Sequence, residues 1–159
     1  MKLYLKQKIF TWGDQFTVYD EAGNDKYYVE GEVFSFGKKL HIYDLGGNEI
    51  AFIHQEVFSF MPKYYISVDG VDVAEVKKHF TFFKHEYSVN GFGWSVTGDF
   101  FDHEYTVSDG NRMVASVYRE WFTWGDAYAI DISDGVKEID ALAVALVIDA
   151  VISAERNNQ

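Results

Sequence analysis

Three aspartates, Asp126, Asp131 and Asp134, stand close together in the stretch "GDAYAIDISDG". Hard cations such as calcium take about six to eight oxygen ligands. The cluster is therefore a candidate metal site, and the acidic rim near Asp126 a place where a metal-dependent factor or enzyme would work. A structural reading competes with this one. Asp126 then belongs to a turn, Asp131 points outward from a strand, and Asp134 caps a helix. The pentapeptide "FTWGD" favours the structural reading, because it occurs at Phe10 to Asp14 as well as at Phe122 to Asp126. Asp14 thus holds the same turn position where no helix follows.

Positive charge is concentrated in the lysines at 2, 6, 8, 38, 39, 77 and 78. If Lys38, Lys39, Lys77 and Lys78 share one rim, an anionic lipid headgroup can dock there despite the charge of the whole chain. Histidines stand at 41, 54, 79, 85 and 103. His41 and His54 flank a turn and can face one another across a hairpin, while His85 and His103 can join Glu86 or Glu104 around a metal. None has the short fixed spacing that makes a ligand set specific, so surface or packed histidines are the alternative. No nucleophile elbow, phosphate loop, dinucleotide fingerprint or H-E-x-x-H is present. Acid pairs such as Asp99 and Asp102 are abundant among 25 carboxylates, where proximity carries little information. No catalytic residue is assigned.

The net charge is −11. Through Asn90 there are 10 basic residues against 13 acidic ones, and from Gly91 onward 4 against 12. Phosphate polyanions should be repelled, which sets nucleic acid aside as a partner. Cysteine is absent, so disulfides, thiolate chemistry and cysteine-bound zinc are excluded. The opening "MKLYLKQKIF" lacks the apolar run of a secretory signal, which makes the cytoplasm the default location.

What would position these residues is a series of antiparallel strands. Alternating runs of β-branched and aromatic residues are punctuated by "DEAGN", "DLGGN" and Asp-Gly or Asn-Gly pairs at 69, 90, 109 and 134. Such pairs supply the positive φ that hairpin turns need. Two stretches, "FTWGDQFTVYDEAGN" from Phe10 and "FSFGKKLHIYDLGGN" from Phe34, repeat with an offset of 24 residues, and a third copy begins at Phe58. Each unit reads as one hairpin. The pattern predicts about twelve strands, near 2–10, 15–20, 26–34, 39–44, 49–57, 63–68, 71–80, 84–89, 93–98, 102–107, 112–121 and 127–132. A sheet that wide is expected to close, which removes its free edges.

From Val136 to Ala154 the sequence becomes "VKEIDALAVALVIDAVISA", predicted as a helix. Ala141 to Ile148 are all apolar, so this helix has no polar face over more than two turns. Its apolar run is too short for a bilayer, which needs about 20 residues. Burial is expected on every side, and alanines at 141, 143, 145 and 150 slim the helix enough to enter a barrel. The predicted architecture is a mainly β, single domain over residues 1–159: a closed antiparallel barrel of about twelve strands around a hydrophobic C-terminal helix. A plug of that kind leaves no room for a lipocalin-like carrier. The tryptophans at 12, 94, 121 and 124, with nearby phenylalanines, either pack along the barrel or enter a bilayer interface.

The stretches "KLHIYDLGGNEIAFIHQ", "FTFFKHEYSVNGFGWSVTGDFFDHEY" and "GDAYAIDISDGVKEIDALAVALVIDAV" resemble the LURP-one-related family of the tubby-like superfamily, in its bacterial branch. That superfamily includes tubby domains and phospholipid scramblases. The resemblance implies a closed barrel around the last helix, and a non-catalytic, intracellular module that binds a phospholipid surface or a protein partner. Tubby domains bind phosphoinositides through basic residues, but no residue-by-residue equivalent is found here. Scramblase-like members carry a calcium-associated acidic stretch before the helix. There this chain keeps Asp126, Tyr128 and Ile130 but has Ala127 where that pattern has asparagine. A ligand is therefore missing from any Ca2+ site the resemblance implies.

Overall fold

A computed structural model of the chain describes residues 1–6, 15–32, 36–80, 85–122 and 125–157. Twelve strands are present: β1 (Lys2–Lys6), β2 (Gln15–Tyr19), β3 (Asp25–Gly31), β4 (Lys39–Tyr43), β5 (Glu49–Gln55), β6 (Lys63–Val68), β7 (Val71–Phe80), β8 (His85–Asn90), β9 (Trp94–Asp99), β10 (Glu104–Asp109), β11 (Arg112–Phe122) and β12 (Gly125–Ile132). Each pairs antiparallel with its neighbours in sequence, and β1 pairs with β12, so the sheet closes on itself. The 24-residue repeat is visible as geometry. Register shifts fall between Val18 and Tyr19, Ile42 and Tyr43, and Ile66 and Ser67. Each bulge leads into a turn. In the first two turns, Asp20 Oδ1 accepts from the Asn24 amide and Asp44 Oδ1 from the Asn48 amide, both at 2.9 Å. Gly23 and Gly47 close these turns at φ +83° and +84°. The same turn is built twice because only glycine enters that region without strain.

An up-and-down barrel sorts its connections between two ends. The hairpins at 20–24, 44–48, 69–70, 91–93 and 110–111 share one end, called here the turn end. Residues 36–38, 56–62 and 100–103 lie between strands at the other, called the loop end. The first "FTWGD" copy lies outside the described residues, as do Thr123 and Trp124 of the second. Phe122 ends β11 and Gly125 begins β12, both at the loop end.

The helix α1 (Glu138–Asn157) runs inside the barrel from the turn end to the loop end. Leu142, Val144, Leu146, Val147 and Ile148 are fully buried against inward residues such as Leu3, Val18, Ile53, Ile66 and Val96. Eight aliphatic side chains of the helix, hidden in this way, contribute on the order of 12–24 kcal/mol of transfer free energy as an upper bound. The helix begins two residues later than expected, and Lys137 occupies its cap position. Asp134 instead lies in the preceding turn, where its carbonyl accepts from Arg112 at 3.0 Å and the Val136 amide donates to Ser133 at 3.2 Å. The turn at Gly135, φ +79°, delays the helix and removes Asp134 from capping distance. Glu138 takes over at the positive helix end, receiving the Tyr27 hydroxyl at 2.8 Å and the Lys26 ammonium at 3.1 Å.

Candidate functional site

The three aspartates do not converge. Asp126 is at the loop end of β12, opposite Trp121, while Asp131 is at the turn end between Lys2 and Ser116. Five strand positions separate them, about 17 Å along the chain, and they project to opposite faces. Asp134 lies beyond β12, exposed at the turn end. Among the described residues no three His, Asp or Glu side chains gather as a metal would require. Asp99 and Asp102 are not an acid pair: Asp99 Oδ1 accepts from the Asp102 amide at 3.3 Å within the β9–β10 turn.

His41 and His54 both face outward but do not meet. Phe52 stands between them, its ring 4.8 Å from His41 and 5.4 Å from His54, and the row continues to Tyr65. His41 is held by two carboxylates, Glu49 at 2.6 Å from Nδ1 and Glu32 at 2.7 Å from Nε2. Burial opposes its charge, but these two partners outweigh burial and raise its pKa above the usual 6.5. His79 bonds Ser88 at 2.7 Å, and His85 lies beside Phe80. His103 has left the surface altogether.

The four lysines all lie toward the loop end, yet they divide by face. Strand alternation turns Lys38 and Lys78 into the barrel mouth and Lys39 and Lys77 to the outer wall. The Lys38 ammonium donates to the Ala150 carbonyl at 3.4 Å, and burial pushes its pKa down to about 8. Lys78 is buried and paired with Glu155 near the end of α1. Lys77 is in register with Lys63, which binds Glu75 at 3.4 Å. Lys39, Lys63 and Lys77 thus face outward on β4, β6 and β7, with Glu56 and Glu75 beside Lys63. Lys8 lies outside the described residues.

One polar cluster was invisible in the sequence. His103, 2% exposed and at φ +58°, points its Nδ1 at Asp149 of α1 and stacks on Tyr128 with ring centroids 4.9 Å apart. Beside them Tyr105 donates its hydroxyl to the Ala145 carbonyl at 3.2 Å, and burial keeps that phenol protonated. His103 Nε2 and the Tyr128 hydroxyl have no hydrogen-bond partner among the described residues. They line a cavity of about 30 Å3 together with Leu5, Phe16 and Val117. That space suits about two waters. The cluster therefore anchors the helix. Asp149 offered one sequence signal, a lone carboxylate within an apolar helix.

The connections at the loop end carry exposed aromatic side chains, which the sequence showed only as the recurring F-x-F and F-x-W runs. Trp94 follows the packing alternative, half-buried against Phe92 at 4.7 Å. Trp121 does not, being 77% exposed. Trp12 and Trp124 fall outside the described residues. No helix of the described chain is long and apolar enough to cross a membrane.

The sequence pattern defining LURP-one-related proteins matches residues 1–149. Over 152 residues the chain is 35% identical to "Uncharacterized protein YxjI" of Bacillus subtilis, covering 96% of this chain and 94% of that one. Its fold is similar to the X-ray structure of a protein from Arabidopsis thaliana, with a TM-score of 0.70 at 16% identity, covering 94% of this chain and 90% of the other.

Proposed function

The chain belongs to the LURP-one-related family of the tubby-like superfamily, and from that premise we propose that it is a non-catalytic, single-domain module whose activity is association with phospholipid surfaces. The observation that carries this reading is the gathering of Lys39, Lys63 and Lys77 on the outer wall near the loop end. Lys38 and Lys78 at the mouth are already engaged by the helix. A phosphate approaching this wall would meet Lys39 and Lys77 beside the Lys63–Glu75 pair. The filled interior offers no path along which a lipid could pass through the barrel.

Flotation with neutral and with anionic vesicles, each with and without calcium, tests the reading. Binding to anionic vesicles, weakened by Lys39→Gln with Lys77→Gln and by added salt, is the expected result. Separation of Asp126 from Asp131 and Asp134 leads us to expect no calcium dependence. Failure to float under all four conditions would remove lipid association.

A further inference from the structure

We infer that Asn90 is a self-modifying position, whose side-chain amide is lost in the folded protein to leave aspartate and isoaspartate on the barrel wall. Asparagine is among the thermolabile residue types. The chain has six, and Asn90 alone precedes a glycine. It ends β8 with its side chain exposed, and no described residue bonds that side-chain amide. The β8–β9 turn is held by the Gly93 amide, which donates to the Val89 carbonyl at 3.1 Å. That bond spans Asn90 and Gly91, and the Gly91 nitrogen itself donates to no described residue. Glycine is fixed at 91 by packing: its φ is +101°, and a Cβ there would collide with the Val73 carbonyl oxygen. The backbone nitrogen beside Asn90 therefore has no side chain to screen it. Asn24 and Asn48 show the contrast. Their side-chain amides are tied to Asp20 and Asp44, the second at 3.1 and 3.2 Å, and Asp25 and Glu49 follow them.

The Gly91 nitrogen gives up its proton and attacks Asn90 Cγ, the Cγ–Nδ2 bond breaks, and ammonia leaves. Water then opens the cyclic imide. Cleavage at the former side-chain carbonyl leaves aspartate, and cleavage at the main-chain carbonyl leaves isoaspartate, with the chain running through Cβ and Cγ. Each conversion takes up a water and releases an ammonia. The attack requires Asn90 to leave extended geometry, which at the last position of a strand costs little. Either product changes the wall. Asn90 is in register with Glu75, which pairs with Lys63 at 3.4 Å, so a carboxylate at 90 sets like charges directly opposite one another. Isoaspartate also lengthens the main chain where Gly91 already lies against Val73, so the turn must re-form.

The test is incubation of the full chain, folded and urea-unfolded, at mildly alkaline pH, followed by mass-spectrometric peptide mapping and an isoaspartyl methyltransferase assay. Asn90 is expected to convert in the folded protein at a rate within about tenfold of the unfolded chain, while Asn24 and Asn48 keep their amides. The Asn90→Gln variant should gain neither acidic charge nor methyl-acceptor sites over the same interval. Asn90→Asp carries one product from the start and should melt below the wild type. Folded conversion slower than that range overturns the inference, as does a gain of charge that persists in Asn90→Gln. Equal melts of Asn90→Asp and the wild type would overturn the opposition to Glu75.

Discussion

His103 Nδ1 lies 3.3 Å from Asp149 Oδ1, joining the β9–β10 turn to the middle of the enclosed helix. This contact, the Tyr105 bond to the Ala145 carbonyl and the Lys38 bond to the Ala150 carbonyl together set the rotation and depth of the helix.

Asp149→Ala should therefore destabilise the fold by about 1–3 kcal/mol, because it leaves the buried imidazole without its partner. Asp149→Asn keeps an acceptor and should lose markedly less. Urea unfolding of the two variants measures the difference, and equal losses would show that the contact does not hold the helix.

The pH response of stability should carry a His41 signature. Its folded pKa is raised, so its contribution is complete below the unfolded value near 6.5 and is lost as pH rises through the higher folded value. Between about pH 6 and pH 8 the wild-type urea midpoint should fall more than that of His41→Gln. Parallel curves would mean that Glu32 and Glu49 do not hold the proton.

Leu146→Ala removes a fully buried side chain from the centre of the plug and should cost about 2–5 kcal/mol. Ending the chain before Gly135 goes further and empties the barrel. Such a truncate is expected to show no cooperative unfolding transition by circular dichroism.

Gly23→Ala and Gly47→Ala test the internal repeat. Both glycines have the same positive φ, and an added Cβ would meet no atom within 4 Å at either. Each should lose about 1–2 kcal/mol from backbone strain alone, and the double variant should lose the sum. Unequal losses in thermal melts would show that the two turns differ in the unfolded chain or in their surroundings.

Much of the fold was legible because its signals are local. Alternation marked the strands, Asp-x-x-Gly-Asn marked turns before their bulges were visible, and Ala141 to Ile148 could only be enclosed. Boundaries failed where one turn decided them, as at Gly135. The candidate site was less legible, since adjacent lysines look alike in sequence until strand alternation sends Lys38 inward and Lys39 outward. His103 and Asp149 are far apart in the chain and share no periodicity. The exposed loop-end aromatics did leave a trace. In an up-and-down barrel every second connection shares an end, and Phe36, Phe58, Phe80, Phe101 and Trp121 fall in or beside alternate connections, as the Gly-rich turns do in the others.

Closure through the first and last strands has a consequence during synthesis. The Ile132 amide donates to the Met1 carbonyl at 2.8 Å, so the seam joins positions 131 residues apart in the chain. At about 5–20 residues per second, β1 waits roughly 7–26 s for its partner, and the plug emerges later still. The nascent chain therefore carries unshielded apolar strand faces until the helix has been made, and cellular yield will depend on what guards those faces in the interval.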